Sequence, residues 1–267
     1  MSGSQTFKLS ELDHNYGSNI DILNDPCMSS WLARLCSPQT FQPQINSLVD
    51  YLYTGLLKTV MNQEFPQKRA RLQTRMTAVH PEAPLETSIF DSELRVATVN
   101  LARAGTLPSH VCYNLLNNVL NPQLIRQDHV LASRTTDASE KVTGTTLGGA
   151  KIGGDVEGSI VLFPDPMGAT GNTIISAVEH YKKNVGGKAS KYLALHLIVT
   201  PEYLKNVIQA HPDLTIYAVR LDRGLSTQKV LQTLPGTHWE EERGLNDKHY
   251  IVPGGGGFGE IMNNSFV

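Results

Sequence analysis

The 267 residues are short of most features that would set a fold or a function by themselves. Cysteine is scarce: Cys27, Cys36 and Cys112 are odd in number and lack metal-ligand spacing. That argues against a disulfide framework or a cysteine metal site and suits free thiols in a reducing cytoplasm. No apolar run is long enough to span a bilayer, and the polar N-terminus has no apolar leader core, so neither a membrane segment nor a signal peptide is expected. Charge is nearly balanced, with 23 Lys+Arg against 25 Asp+Glu for a formal net charge of −2, which offers nothing to nucleic acid or an anionic membrane. There is no repeat, no low-complexity tract and no interior linker, so one domain with appendages is the expected organisation. The 40% hydrophobic content is enough for a sizeable core.

What the chain does have is concentrated in residues 159–183, SIVLFPDPMGATGNTIISAVEHYKK. The apolar run Ile160, Val161, Leu162 and Phe163 ends at Pro164 and reads as a buried strand of a parallel sheet. A small-residue loop follows, Asp165-Pro166-Met167-Gly168-Ala169-Thr170-Gly171-Asn172-Thr173. Ile174, Ile175, Val178 and Tyr181 then recur at helical spacing, with Lys182 and Lys183 in the last turn where cations suit the helix dipole. Strand, loop and helix in this order aim free backbone N–H groups at whatever lies above the loop, and a phosphate is the natural occupant. Gly168, Ala169 and Gly171 permit a close approach, and Thr170 and Thr173 add hydroxyl donors. Asp165 would repel a bare phosphate, but it suits a ligand that also carries ribose hydroxyls or a metal ion. This loop has neither the lysine of GxxxxGK[ST] nor a GxGxxG spacing.

Along the rest of the chain, residues 1–40 read as an irregular polar segment in which Trp31, Leu32 and Leu35 anchor one short helical turn. Ile45, Leu48, Val49, Leu52, Leu56, Leu57 and Val60 form the apolar stripe of an amphipathic helix. Residues 69–91 alternate around the breaker at 80–84 and read as a β-hairpin arm, with Lys68, Arg69, Arg71 and Arg75 on a solvated face. A strand at 94–101 delivers Arg103-Ala104-Gly105 into a loop before a helix at 109–120, and a short strand at 129–133 ends at Arg134. Residues 135–157, rich in Thr, Gly and Lys, show no periodicity and read as a functional lid or a disordered stretch. A strand at 192–199, a helix at 201–210 and a strand at 214–220 follow. The alternation implies an α/β fold, a doubly wound and mostly parallel sheet with ligands at the carboxyl ends of its strands.

The string Asp165-Pro166-Met167 with Ala169-Thr170-Gly171 and Thr173 resembles the phosphoribosyl-pyrophosphate (PRPP) loop of the type I phosphoribosyltransferases, and in particular of the uracil phosphoribosyltransferase family. Further matches run in the same order: Arg103-Ala104-Gly105, Ala210-His211-Pro212-Asp213, and Tyr250-Ile251-Val252-Pro253-Gly254. The resemblance covers residues 41–267 and includes the arm at 69–91, which in that family embraces a second subunit. It implies a homodimer or larger homo-oligomer. Residues 226–245 look like an insertion relative to the family, with His238 and Trp239 as packing residues.

The resemblance also implies a chemistry. Transfer of the ribosyl group from PRPP, carried with Mg²⁺, builds negative charge on departing pyrophosphate. Arg103, with the backbone of Ala104 and Gly105, and Arg134 would hold that charge, since a guanidinium keeps its charge and grips phosphate oxygens in pairs. Asp165, Pro166, Met167, Gly168, Ala169, Thr170, Gly171, Asn172 and Thr173 would hold the phosphoribosyl part. Ile251, Gly256, Gly257 and Phe258, in the C-terminal base loop at 250–260, would receive the base. No resident metal site is expected. The implied reaction is uracil plus PRPP to UMP, a pyrimidine salvage step in the cytoplasm. The family's string Gly-Leu-Gly-Asp-Ala-Gly-Asp reads Gly254-Gly255-Gly256-Gly257-Phe258-Gly259-Glu260 here, with Gly257 where the first aspartate stands. That departure keeps open an alternative: a homologue that binds PRPP or a nucleotide and regulates without turnover.

Overall fold

The computed structural model describes residues 7–136 and 142–266, leaving aside the side chains of 132–136 and 142–146. In chain order the elements are β1 (Ile20–Ile22), α1 (Pro26–Leu35), α2 (Gln44–Glu64), β2 (Gln67–Leu72), β3 (Leu85–Phe90), β4 (Val96–Ala102), α3 (Thr106–Val119), β5 (Ile125–Thr136), β6 (Val142–Lys151), β7 (Ile160–Pro164), β8 (Met167–Gly168), α4 (Asn172–Asn184), β9 (Lys191–Val199), α5 (Pro201–Ala210), β10 (Leu214–Leu221), α6 (Gln228–Leu231) and α7 (Phe258–Ile261). The main sheet runs β1-β10-β9-β7-β4-β5-β6, with β8 beside the end of β9. Every pairing in it is parallel except β5 with β6.

The central strands are apolar without interruption because both faces are covered. In β7, Ile160 and Leu162 face the core packed by α1, α2 and α3, while Val161 and Phe163 face the core packed by α4 and α5. All four are at most 2% exposed. Fully burying a side chain of this size stabilises by about 1.5–3 kcal/mol, so the doubly wound arrangement follows from the composition of a single five-residue strand. The α2 stripe read from the sequence is buried along its length.

Residues 69–91 do contain a two-stranded antiparallel sheet, β2 with β3, separate from the main sheet. β2 begins at Gln67, before the stretch read from the sequence, and ends at Leu72, so Arg75 and Met76 lie in the connecting turn. Residues 7–40 carry more regular structure than expected. Asp25 caps α1 by accepting from the Met28 N–H at 2.9 Å, Pro26 opens the helix, and Met28, Leu32 and Leu35 are buried along one side. The three-residue β1, which extends the sheet beside β10, is too short to leave a periodic signal.

Two expectations further along are also corrected. The strand expected at 129–133 is the twelve-residue β5. Within the stretch expected to lack regular structure, 135–157, residues 142–151 form β6, antiparallel to β5. Backbone pairing at the sheet edge supplies that order, so threonine and glycine suffice and no apolar pattern is needed. The middle of that stretch, 137–141, lies outside the described residues.

The 226–245 segment carries α6 and is tied down by Glu242, which accepts from the Tyr16 hydroxyl, from Arg223 Nη1 at 2.9 Å and from the Gly236 N–H at 2.9 Å. Trp239 packs its edge on Tyr16 and donates through Nε1 to the Pro201 carbonyl at 2.9 Å, a packing role. Among the described residues no helix is long and apolar enough to cross a membrane.

Candidate active site

The loop between β7 and α4 is held by its carbonyl oxygens. Asp165 O accepts from His196 Nδ1 at 2.5 Å, and Pro166 O accepts from the N–H groups of Leu197 and Ile198 at 3.1 Å each. Gly168 O accepts from Thr200 N at 3.1 Å, Ala169 O from Thr200 Oγ1 at 2.8 Å and Thr170 O from Asn206 Nδ2 at 2.9 Å. These bonds fix the loop's path against β9 and α5, and some of its N–H groups are bonded within the fold as well: Asp165 N–H donates to Leu195 O at 3.0 Å and Ala169 N–H to Met167 O at 3.1 Å. Gly171 then starts α4 with φ +89°, a left-handed conformation that favours glycine, and no side chain caps the helix. The uncapped first turn adds its own free donors and the positive end of the helix dipole.

Beneath the loop lies the ring of Tyr203, fully buried on α5. A Cβ on Gly168 would come within 3.1 Å of that ring, and one on Gly171 within 2.7 Å of Val207 Cγ2. The loop glycines are therefore set by close approach as well as by backbone angle. His196 donates from Nδ1 to a carbonyl, so its Nε2 accepts from the Tyr203 hydroxyl at 2.5 Å. Burial lowers the His196 pKa to about 4, which keeps the ring neutral in this role.

Across the cleft, β4 ends at Ala102 and Arg103 follows directly. Its neighbour Gly105 opens α3 with no room for a side chain, since a Cβ would meet the Leu101 backbone and the Pro164 carbonyl at 2.9 Å. The third wall is the C-terminal glycine run. Asp222, 2% exposed, binds Arg220 through both carboxylate oxygens at 2.6 and 2.8 Å and accepts from the Gly254 N–H at 2.8 Å. Arg220 Nη2 in turn donates to Gly254 O at 3.0 Å. A charged pair thus clamps the entrance of a run that composition alone would read as slack.

These three walls enclose a cleft with a cavity volume of about 620 Å³. Of the residues singled out in the sequence, Arg103, Ala104, Asp165, Met167, Ala169, Thr170, Gly171, Thr173, Ile251, Gly256, Gly257 and Phe258 all line it. Gly105, Pro166, Gly168 and Asn172 do not; they shape the loops behind it. Phe258 is 1% exposed and its ring packs in the core, so the ring is not available to a base. Arg134 lies on β5 opposite Thr145, with its side chain outside the described residues.

Sequence reasoning missed Tyr203 and His249, and within the base loop at 250–260 it did not single out Tyr250 and Glu260; all four also line the cleft. Tyr203 carries no local signal, since its place depends on α5 folding over the loop. Glu260 was visible as the acidic end of the glycine run. Asp165 and Glu260 are the two carboxylates of the cleft, and among the described residues no group of three or more His, Cys, Asp or Glu side chains is placed to hold a metal ion.

Comparison with known proteins agrees with this architecture. The family model described as uracil phosphoribosyltransferase matches residues 22–238. The uracil phosphoribosyltransferase of Staphylococcus epidermidis is 33% identical over 247 residues, 92% of this chain and 98% of that protein. That of Agrobacterium fabrum is 37% identical over 107 residues, and that of Geobacillus kaustophilus 38% identical over 112 residues. Those two matches span less than half of each relative, 40% and 43%. Among solved structures, the AQ2163 protein from Aquifex aeolicus superposes with a TM-score of 0.70 at 20% identity, covering 93% of this chain and 99% of that one.

Proposed function

The chain belongs to the uracil phosphoribosyltransferase family, and on that premise we propose that it transfers the 5-phosphoribosyl group of PRPP to uracil, releasing pyrophosphate and giving UMP. The observation that carries this reading is the loop at 165–173, which lines the cleft, is held by carbonyl bonds to β9 and α5, and leads into the uncapped start of α4. A 5′-phosphate fits that surface, with Thr170 and Thr173 adding hydroxyl donors. Asp165, at the end of β7, accepts from the ribose hydroxyls. Mg²⁺ arrives with PRPP as part of the substrate.

In the transfer, the bond from the ribose anomeric carbon to pyrophosphate breaks while a bond to a uracil ring nitrogen forms, and the proton of that nitrogen passes to the departing pyrophosphate or to water. Charge grows on the departing pyrophosphate. Arg103 and the neighbouring N–H group of Ala104, with Arg134 from β5, stabilise it, while the Gly105 N–H is taken by Leu101 O at 2.9 Å and holds the turn. Donors aimed at developing charge act where they accelerate, because they bind the transition state more strongly than the ground state. The backbone around Ile251 and Gly256 offers amide groups to the edge of the base. The pathway role is pyrimidine salvage in the cytoplasm.

A second reading is a silent PRPP- or nucleotide-binding homologue. It is favoured by Gly257, which puts no side chain where the family has an aspartate, and by the pairing of Arg103 with Glu260 and Ser265. Pyrophosphate release from PRPP with uracil, cytosine, orotate and the purines in turn separates the two. Turnover with uracil that Arg103→Ala abolishes supports the enzyme. Tight PRPP binding with no pyrophosphate from any base leaves the binding homologue.

The arm supports a homodimer. Leu72 and Leu85 pair across β2 and β3 yet are 38% and 45% exposed, and Met76 and Val79 in the turn are more so. An isolated two-stranded hairpin is marginal in water, so a second subunit is the natural cover. Light scattering at micromolar concentration is expected to give the dimer mass or a multiple of it. A monomer with the arm intact contradicts this.

A further inference from the structure

Arg103 is not left open to the cleft. Its Nη1 donates to Ser265 Oγ at 2.9 Å and to Ser265 O at 3.2 Å, and its Nη2 lies 3.5 Å from Glu260 Oε1. Both outer nitrogens of the guanidinium are thus engaged by the segment that follows the glycine run. The other carboxylate oxygen of Glu260 lies only 2.0 Å from where a Cβ on Gly257 would stand. In this arrangement the carboxylate occupies the space that a side chain at 257 would take, so a side chain there would push it aside.

We propose that Glu260 is an internal competitor for the anion that the cleft takes: its carboxylate holds Arg103 in the free protein and is displaced when pyrophosphate or the pyrophosphoryl end of PRPP binds. This rests on the reading of the cleft as a PRPP site and adds to it the residue that sets the affinity.

The surroundings suit such an exchange. The segment is anchored on either side of Glu260 by the buried Phe258 and Met262, and Gln42 Nε2 donates to the carbonyls of Ile261 and Met262 at 3.2 and 3.0 Å. The Glu260 and Arg103 side chains are each only about one-third exposed, 33% and 38%, so a swing of Glu260 into solvent frees the guanidinium without unfolding its support. Pyrophosphate brings more charge than a carboxylate and offers oxygens in the spacing that a guanidinium grips in pairs, so it wins the exchange. The competition still weakens it, because an ion pair must break and a carboxylate stays close to the incoming anion.

The plainer role for Glu260 is a helix cap. It is the third residue of the four-residue α7, where an acidic side chain folds back onto the helix start. Glutamine serves that cap as well as glutamate does, so Glu260→Gln removes the charge and keeps the cap. Calorimetric titration of wild type and Glu260→Gln with pyrophosphate and Mg²⁺, and separately with PRPP and Mg²⁺, tests the proposal, with thermal unfolding as the check on folding. The expected result is binding of pyrophosphate about three- to ten-fold tighter in Glu260→Gln, a gain that shrinks at roughly 1 M salt and that largely disappears when Arg103 is also Ala. Ser265→Ala, which removes one acceptor, shifts the affinity in the same direction by less. Unchanged or weaker pyrophosphate binding in Glu260→Gln overturns the proposal. PRPP binding by wild type that Glu260→Gln does not tighten overturns it while leaving the proposed function standing. Failure of both proteins to bind PRPP overturns both.

Discussion

The two long walls of the cleft are built in opposite ways. On the β7–α4 side the loop is held by neutral hydrogen bonds from β9 and α5 to its own carbonyls, over a buried tyrosine that a neutral histidine keeps in place. The first turn of α4 needs no rearrangement to receive an anion, since it is uncapped and lines the cleft through Thr173 and Ile174. On the opposite side Arg103 is held by Glu260 and Ser265, charged and polar partners that a ligand must replace. One wall is preorganised and the other exchanges partners. A preorganised wall contributes affinity in the ground state, whereas a charge that gains a better partner as pyrophosphate departs contributes to the rate.

The largest expected effect tests that division on the exchanging wall. Arg103→Ala removes a donor aimed at charge that develops late, an interaction worth roughly 2.7–4 kcal/mol. The catalytic rate for pyrophosphate release falls by about two to three orders of magnitude, with a smaller change in PRPP affinity. An equal loss in both places Arg103 in ground-state binding and breaks the comparison.

On the preorganised wall, Thr173→Ala deletes one hydroxyl donor to an anion, worth about 1.5–3 kcal/mol. PRPP binding weakens roughly ten-fold or more by calorimetry, while the rate at saturating PRPP changes little. A variant that loses rate without losing affinity assigns Thr173 to the other wall.

The smallest effect concerns His196. Its pKa in the folded chain, about 4, lies below the ordinary 6.5, so the stability it contributes is present above pH 6.5 and lost as pH falls toward 4. Asp21 on β1 runs the other way. Burial, then the Glu11 and Glu64 carboxylates, push it up to about 7 from 3.8, so its contribution is present at low pH and lost as pH rises to about 7. Glu64 is itself paired with Lys191 at 2.5 Å and accepts from Tyr217 at 2.5 Å. The two slopes oppose each other between about pH 4 and 6.5. Asp21→Asn removes one of them, so the melting temperature of that variant falls more steeply on acidification from pH 6.5 to 4.5 than that of wild type. Parallel melting curves contradict the assignment.

The two walls also differ in how far the sequence revealed them. The run from Ile160 to Thr173 is local: strand, glycines, threonines and helix stand in order, and the folded loop has the expected shape. The sequence does not show the bonds that hold it, because His196, Thr200, Tyr203 and Asn206 lie on β9, at the start of α5 and on α5, and meet the loop only through the sheet. On the other wall Arg103 was legible from its Ala104-Gly105 context, but its partners come from more than 150 residues away. The clamp on the glycine run was hidden for the same reason: Arg220 and Asp222 are ordinary residues at the end of a strand until Gly254 folds onto them. β1, β6 and the full length of α1, of which only one turn was read, were missed because a three-residue strand, an edge strand of threonine and glycine and a helix inside a polar stretch leave little or no hydrophobic period.

The central claim is that the loop after β7 and the start of α4 take the phosphorylated ribose of PRPP. Calorimetric titration of the wild-type chain with PRPP and Mg²⁺ tests it most directly. A saturable binding heat at one site per chain, lost or weakened roughly ten-fold in Thr173→Ala, is the predicted result. No binding heat and no thermal shift at millimolar PRPP with Mg²⁺ would contradict it.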